Sequence, residues 1–219
     1  MTPALDLRLY LVVGAGDCAG RPLDWVVGEA VAGGVTSVQL REKQAETGDF
    51  AALGRRVKAL LDPLGVALVI NDDLEAALAC DAAALHVGQE DLPPAEARAR
   101  LPRPSRLGLS ITADEDLPSA RAGFADHVGI GPVFSTATKP DAAPALGLAG
   151  LARLRAALPD LPAVAIGGID RTNAGAAMAT GVDGLAVVSA IAGAQSPRLA
   201  AATLRKIIES VLTEREGKR

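Results

Sequence analysis

Arg41 and Lys43 lie two positions apart at the end of the apolar run Thr36–Arg41, where an extended chain turns both side chains the same way. One offers a planar fork and the other a point charge, a pair suited to holding an anion. Glu42 lies between them, so a merely solvated loop is the competing reading. Asp72 and Asp91 close the next two apolar runs, and two carboxylates there suit Mg²⁺, which takes one or two carboxylates and leaves its other positions to water and substrate phosphate. Asp72-Asp73-Leu74 also reads as a helix N-cap, and spacing alone does not choose between the two. Further on, Thr136-Ala137-Thr138-Lys139 supplies two hydroxyls and an ammonium for phosphate oxygens. Gly167-Gly168 and Ser189 follow the last two apolar runs, where backbone N–H groups can receive a second, simpler phosphate. The residues thus suggest two anions, one bound with Mg²⁺ and one without.

These groups need a scaffold that brings run ends together. Eight runs recur: Leu7–Val13, Thr36–Arg41, Ala67–Asp72, Ala84–Gly88, Arg106–Ile111, His127–Pro132, Ala163–Gly168 and Gly184–Ala190. They are almost continuously apolar, as strands covered on both faces must be. Helical stripes lie between them, with Phe50, Leu53, Val57, Leu60, Leu61 and Leu64 on one and Leu148, Leu151, Leu154 and Leu158 on another. A last helix is capped by Ser196, opens at Pro197 and buries Leu204, Ile207, Ile208 and Val211. Ala-rich segments near residues 22–33, 73–80, 93–101, 114–123 and 171–181 complete eight helices. About 27 residues per strand–helix unit predict a single-domain (β/α)₈ TIM barrel over residues 1–219, with its active site at the C-terminal ends of the strands. A doubly wound sheet is disfavoured, because Val13-Gly14-Ala15-Gly16 has only part of a dinucleotide-binding glycine pattern.

Composition removes other classes. Twenty-two basic residues against 26 acidic ones are interspersed, and aromatics make up 2%, so neither a basic footprint nor stacking platforms for nucleic acid exist. The longest uncharged stretch, Gly184 to Pro197, has 14 residues and is too short for a bilayer span. The N-terminus has no basic segment followed by an apolar one, which predicts a cytoplasmic protein. Cys18 and Cys80, far apart, read as packing residues. His86 and His127 fall within strands and read as packed or hydrogen-bonded rather than catalytic, and no Ser-His-Asp or Cys-His set is suggested. Monomer and homo-oligomer are both compatible with the sequence.

The same segments, taken in order, resemble the thiamine-phosphate synthase family. They are Gln39-Leu40-Arg41-Glu42-Lys43, Ile70-Asn71-Asp72, His86-Val87-Gly88-Gln89-Glu90-Asp91, Gly131-Pro132-Val133-Phe134 with Thr136-Ala137-Thr138-Lys139, and Ala165-Ile166-Gly167-Gly168-Ile169. The resemblance runs from Leu9 to Ile191. It implies transfer of an aminopyrimidine-methyl group from its diphosphate to the nitrogen of a thiazole phosphate, giving thiamine phosphate and pyrophosphate. It also implies that Gln39, Arg41, Lys43, Asn71, Ser110 and Lys139, with Leu40 and Glu42 of the same segment, meet the pyrimidine diphosphate. Arg41, Lys43 and Lys139 then become the catalytic cations, and Asp72 and Asp91 the Mg²⁺ ligands. Thr136, Ala137, Thr138, Gly167, Val188 and Ser189 become the thiazole-phosphate site. Two departures stand out: Gly14 where many relatives have an acid, and Thr112 where many have histidine. Two rivals remain: a thiazole tautomerase-like barrel, which tends to have histidine where this chain has Pro132, and a noncatalytic barrel that binds a phosphorylated metabolite.

Overall fold

The computed structural model describes residues 3–136, 138 and 143–217. Eight parallel strands close on themselves in sequence order. They are β1 (Leu9–Val13), β2 (Ser37–Leu40), β3 (Ala67–Asn71), β4 (Ala84–Val87), β5 (Arg106–Ile111), β6 (His127–Ile130), β7 (Ala163–Ile166) and β8 (Gly184–Val187). Closure is made by β1 against β8, with Leu9, Tyr10 and Leu11 opposite Leu185, Ala186 and Val187. The expected barrel is therefore present. Nine α-helices occur among the described residues: α1 (Leu23–Ala32), α2 (Thr47–Leu61), α3 (Leu74–Ala79), α4 (Pro94–Arg100), α5 (Leu117–Arg121), α6 (Gly147–Ala157), α7 (Ala174–Ala179), α8 (Ser189–Ala192) and α9 (Pro197–Glu216). Among the described residues, none of the helices is long and apolar enough to cross a membrane.

Strand alternation divides the core in two. Leu9, Leu11 and Val13 point outward and pack with the helices, whereas Tyr10 and Val12 join Val69, Ala84, Val164 and Ala186 in a separate interior cluster. Both faces are buried, which is why each strand reads as a continuous apolar run. The interior also holds polar rings. His86 and His127 are both buried, with ring centroids 5.8 Å apart. They fit because β5 has Gly108 beside them: a Cβ there would lie 2.4 Å from His86 Nδ1 and 2.5 Å from His127 Nε2.

Three sequence expectations need correction. The α2 stripe does not reach Leu64, which is 56% exposed. The α-helix stops at Leu61 because Pro63 lacks a backbone donor and draws the chain into a 3₁₀ turn that ends at the left-handed Gly65. Similarly, the last apolar run is not a strand through Ala190: pairing ends at Val187 and Ser189 opens α8. Uniform apolar composition had hidden that change of conformation. The capped start of α9 holds, with Ser196 Oγ accepting from the Leu199 N–H at 3.3 Å, and Leu204 and Ile208 are buried, but Ile207 and Val211 only partly so.

Packing at the two histidines gives a direct test. Gly108→Ala would push a methyl between two confined rings and is expected to cost about 2–3 kcal/mol. Gly175→Ala, in α7 with only Ile207 Cγ2 at 3.7 Å, is expected to be neutral or stabilising by up to about 1 kcal/mol. Denaturant unfolding of the two variants beside the parent measures both.

Candidate functional site

A cavity of about 1080 Å³ opens at the C-terminal mouth of the barrel, and side chains from the ends of most strands line it. From β2 come Gln39, Arg41 and Lys43, alternate residues that all face inward. Leu40 and Glu42, of opposite parity, do not line it: Leu40 is buried in the outer core, and the Glu42 carboxylate accepts a 2.5 Å hydrogen bond from the Ala15 N–H. The Gln39 amide donates to the Tyr10 hydroxyl at 2.9 Å, which leaves its carbonyl oxygen as an acceptor for the cavity.

Asn71 and Asp72 leave β3 beside this group. The helix cap is Asp73, whose Oδ1 accepts from the Ala76 N–H at 2.8 Å, so Asp72 is released from that duty. Its backbone is left-handed, with φ of 64°, and its N–H donates to the His86 carbonyl at 2.8 Å. That geometry turns the carboxylate toward Asp91 and toward Lys43, whose Nζ is 3.4 Å away. Burial first, and then the hydrogen bond and negative charge of Asp91, push the Asp72 carboxyl up to about 6. Asp91 is only partly buried, and although that burial works to raise it, Asp72, the Gly88 N–H at 2.7 Å and the Lys43 charge hold it below the ordinary aspartate value. Among the described residues no cluster of three or more His, Cys, Asp or Glu side chains is placed to hold a metal; these two acids form a pair.

The opposite arc is built from backbone and hydroxyls. Thr136 and Thr138 follow β6, and Thr136 Oγ1 accepts from the Thr138 N–H at 3.2 Å. Gly167 and Gly168 follow β7 at φ of 100° and 62°, and a Cβ on Gly167 would lie 2.5 Å from Pro132 Cα. Glycine is needed twice over, for the left-handed backbone and for the close approach of the two loops. Val188 and Ser189 complete this side of the wall at the start of α8. Ala137 and Lys139 lie outside the described residues.

Ser110, from β5, lies at the floor between the two arcs. Its hydroxyl is 3.0 Å from His86 Nε2, and its carbonyl accepts from the Gln89 side chain at 2.7 Å. His86 itself lines the cavity. Sequence reading set it aside as a strand residue, although its parity with Ala84, which faces inward, would have placed it inside. Asp17 and Asp170 also reach the wall without having been singled out, and Thr112, noted for differing from many relatives, lies there too. Gly14 has no room for a side chain, since a Cβ would meet the Arg41 carbonyl at 2.5 Å, but its N–H binds Asp17 at 2.8 Å and so fixes an acid nearby. The Thr112 hydroxyl is engaged by Asp116 at 2.8 Å.

Taken together, these features define a (β/α)₈ barrel with one cavity that presents cations and paired acids on one arc and glycine backbone with hydroxyls on the other. Residues 9–191 match the family model described as thiamine monophosphate synthase. The chain is 51% identical over 209 residues to the thiamine-phosphate synthase of Solidesulfovibrio magneticus, covering 95% of this chain and 99% of that one. It is 48% identical over 205 residues to the same enzyme of Albidiferax ferrireducens, covering 94% and 93%. A solved thiamine phosphate pyrophosphorylase from Pyrococcus furiosus superposes with a TM-score of 0.84 at 36% identity, covering 94% of this chain and 98% of that one. The chain belongs to the thiamine-phosphate synthase family.

The crowded acid pair has a consequence for stability. Ionised Asp72 is penalised in the folded chain relative to the unfolded one, so its cost is present in full above about pH 6, fades as pH falls from there toward the ordinary value of 3.8 and is absent below it. Asp72→Asn keeps a residue that tolerates the left-handed backbone and removes the charge. It is expected to raise stability at pH 7 in chelator by about 1–2 kcal/mol, a few degrees in melting temperature, while activity falls. Melting curves at pH 7 and pH 4 check the sign: the gain shrinks at the lower pH.

Proposed function

We propose that this enzyme joins an aminopyrimidine-methyl diphosphate to a thiazole phosphate, releasing pyrophosphate and forming thiamine phosphate in the cytoplasm. What supports the reading is that one cavity gathers two differently built sets of groups suited to anions, cations with paired acids on one arc and glycine backbone with hydroxyls on the other. A simple phosphate-binding barrel has use for the glycine arc alone.

In this reading the diphosphate lies against Arg41, Lys43, Asn71 and Ser110. The C–O bond to the diphosphate breaks and takes its electron pair with it, leaving a pyrimidine-stabilised cation. The thiazole nitrogen then forms the new C–N bond. Arg41 and Lys43 meet the charge that grows on the leaving pyrophosphate, where preorganised cations are most effective. Lys139 is assigned to the same task by the resemblance. The free carbonyl oxygen of Gln39 suits the exocyclic amine of the pyrimidine. Thr136, Thr138, Gly167 and Ser189, with the Val188 backbone, hold the thiazole phosphate and so aim its nitrogen at the reacting carbon.

Asp72 and Asp91 fit the Mg²⁺ that the family implies. Two carboxylates crowded in a partly buried pocket form a donor set whose repulsion a divalent cation relieves, and the substrate diphosphate supplies further oxygens. When bound, Mg²⁺ supplies positive charge for the leaving group. The attacking nitrogen has no proton to lose, so no general base is required. Pro132 at the cavity wall, with no proton to move, suits coupling better than tautomerisation.

The test mixes purified protein with both substrates and Mg²⁺ and measures thiamine phosphate and pyrophosphate. Equimolar products that disappear with chelator are expected; binding of either substrate without product would favour the tautomerase or noncatalytic reading. Asp91→Asn is expected to lower kcat/KM at least about a hundredfold, a loss of about 3 kcal/mol of transition-state stabilisation. Full activity of that variant at saturating Mg²⁺ would remove Asp91 from the site.

A further inference from the structure

The glycine arc offers backbone donors, so its use to an anion depends on which way its peptides face. Gly168 and Ile169 both line the cavity. Among the described residues, their N–H groups have no hydrogen-bond partner in the protein. Their direction follows from the carbonyls, because a trans peptide is planar and points its C=O and its N–H opposite ways. The Gly167 carbonyl, in one plane with the Gly168 N–H, accepts from the Phe134 N–H at 3.0 Å. The Gly168 carbonyl, in one plane with the Ile169 N–H, accepts from the Asn173 side-chain amide at 2.9 Å. Neither Phe134 nor Asn173 lines the cavity, so both carbonyls turn away from it and both N–H groups turn toward it.

The two peptides are not held alike. Main chain fixes the first, where the β6 and β7 loops meet. One side chain fixes the second, whose hinge is Gly168 at φ of 62°, a residue that accepts either hand of backbone. Without that side chain the Gly168–Ile169 peptide is free to turn over. Such a turn would withdraw a donor from the cavity and present a carbonyl oxygen to an anion there.

The chemistry of its two partners fixes the Asn173 amide. Its Oδ1 accepts from the Asp170 N–H at 2.9 Å, so Nδ2 is the atom that meets Gly168. Asn173 stands at the start of α7, yet its side chain caps none of the helix N–H groups, so helix capping does not account for it.

We infer that Asn173 is a positioning residue: from behind the rim it holds the Gly168–Ile169 peptide so that two successive N–H groups receive one phosphate. That this phosphate is the thiazole's rests on the proposed function; the role of Asn173 toward a phosphate does not.

Inorganic phosphate is the probe, followed in backbone amide spectra of the ¹⁵N-labelled protein. In the parent, the Gly168 and Ile169 amide protons are expected to move downfield and saturate together. In Asn173→Ala the affinity read at those two amides is expected to fall about five- to tenfold, the scale of one hydrogen bond, while the strand amides keep their positions. Thr172→Ala removes a hydroxyl that binds Asp170 Oδ1 in the same turn, and is expected to leave that affinity unchanged. Equal affinities in the parent and Asn173→Ala would overturn the proposal, as would an equal loss in Thr172→Ala or a parent whose two amides ignore phosphate. Kinetics give a second reading: Asn173→Ala is expected to raise KM for the thiazole phosphate by the same factor and to leave kcat and KM for the pyrimidine diphosphate unchanged. A matching rise in both KM values would mean a general loosening of the rim and would refute the positioning role. If the unmodified protein yields no thiamine phosphate, the functional reading fails while the phosphate titration still decides the role of Asn173.

Discussion

Every feature of the site follows from the closure of β1 onto β8, where Leu9, Tyr10 and Leu11 pair in register with Leu185, Ala186 and Val187. Eight parallel strands that close in this way must bring all their C-terminal ends to one rim, so residues separated by most of the chain share one cavity. Closure also sets strand parity. Gln39, Arg41 and Lys43 turn inward while Leu40 serves the outer core, and the same alternation brings the rings of His86 and His127 within 5.8 Å of each other inside the barrel.

The rim carries costs that the rest of the molecule offsets. Asp72 occupies a left-handed backbone beside a second carboxylate, and burial makes its ionised form expensive. Among the described residues, three ring nitrogens of His86 and His127 have no hydrogen-bond partner. Gly167 and Gly168 must stay open and left-handed so that the β6 and β7 loops can meet. Strain gathered where ligands bind, with a continuous apolar core around it, is what a site selected for activity before stability looks like.

The sequence made the barrel legible because strands buried on both faces leave near-continuous apolar runs, and because polar residues follow nearly every run. It was less informative where composition is uniform. Nothing in Gly184–Ala190 marks the point where β8 ends and α8 begins, and Leu64 matches a helical stripe that Pro63 does not allow to continue. At Asp72 the cap reading falls away, because the neighbouring Asp73 takes the cap. The reading of His86 as a packed or hydrogen-bonded strand residue holds, but its partner Ser110 was not foreseen, because that bond depends on the register of β4 with β5, which local pattern does not encode.

The proposed function requires two anion sites that are filled together. The most direct measurement is a calorimetric titration of thiazole phosphate into the protein with and without saturating inorganic pyrophosphate and Mg²⁺. Separate arcs require thiazole phosphate to bind one-to-one in both cases, with an affinity that pyrophosphate leaves unchanged or strengthens. Displacement of one by the other would mean a single shared anion site, and would contradict the account.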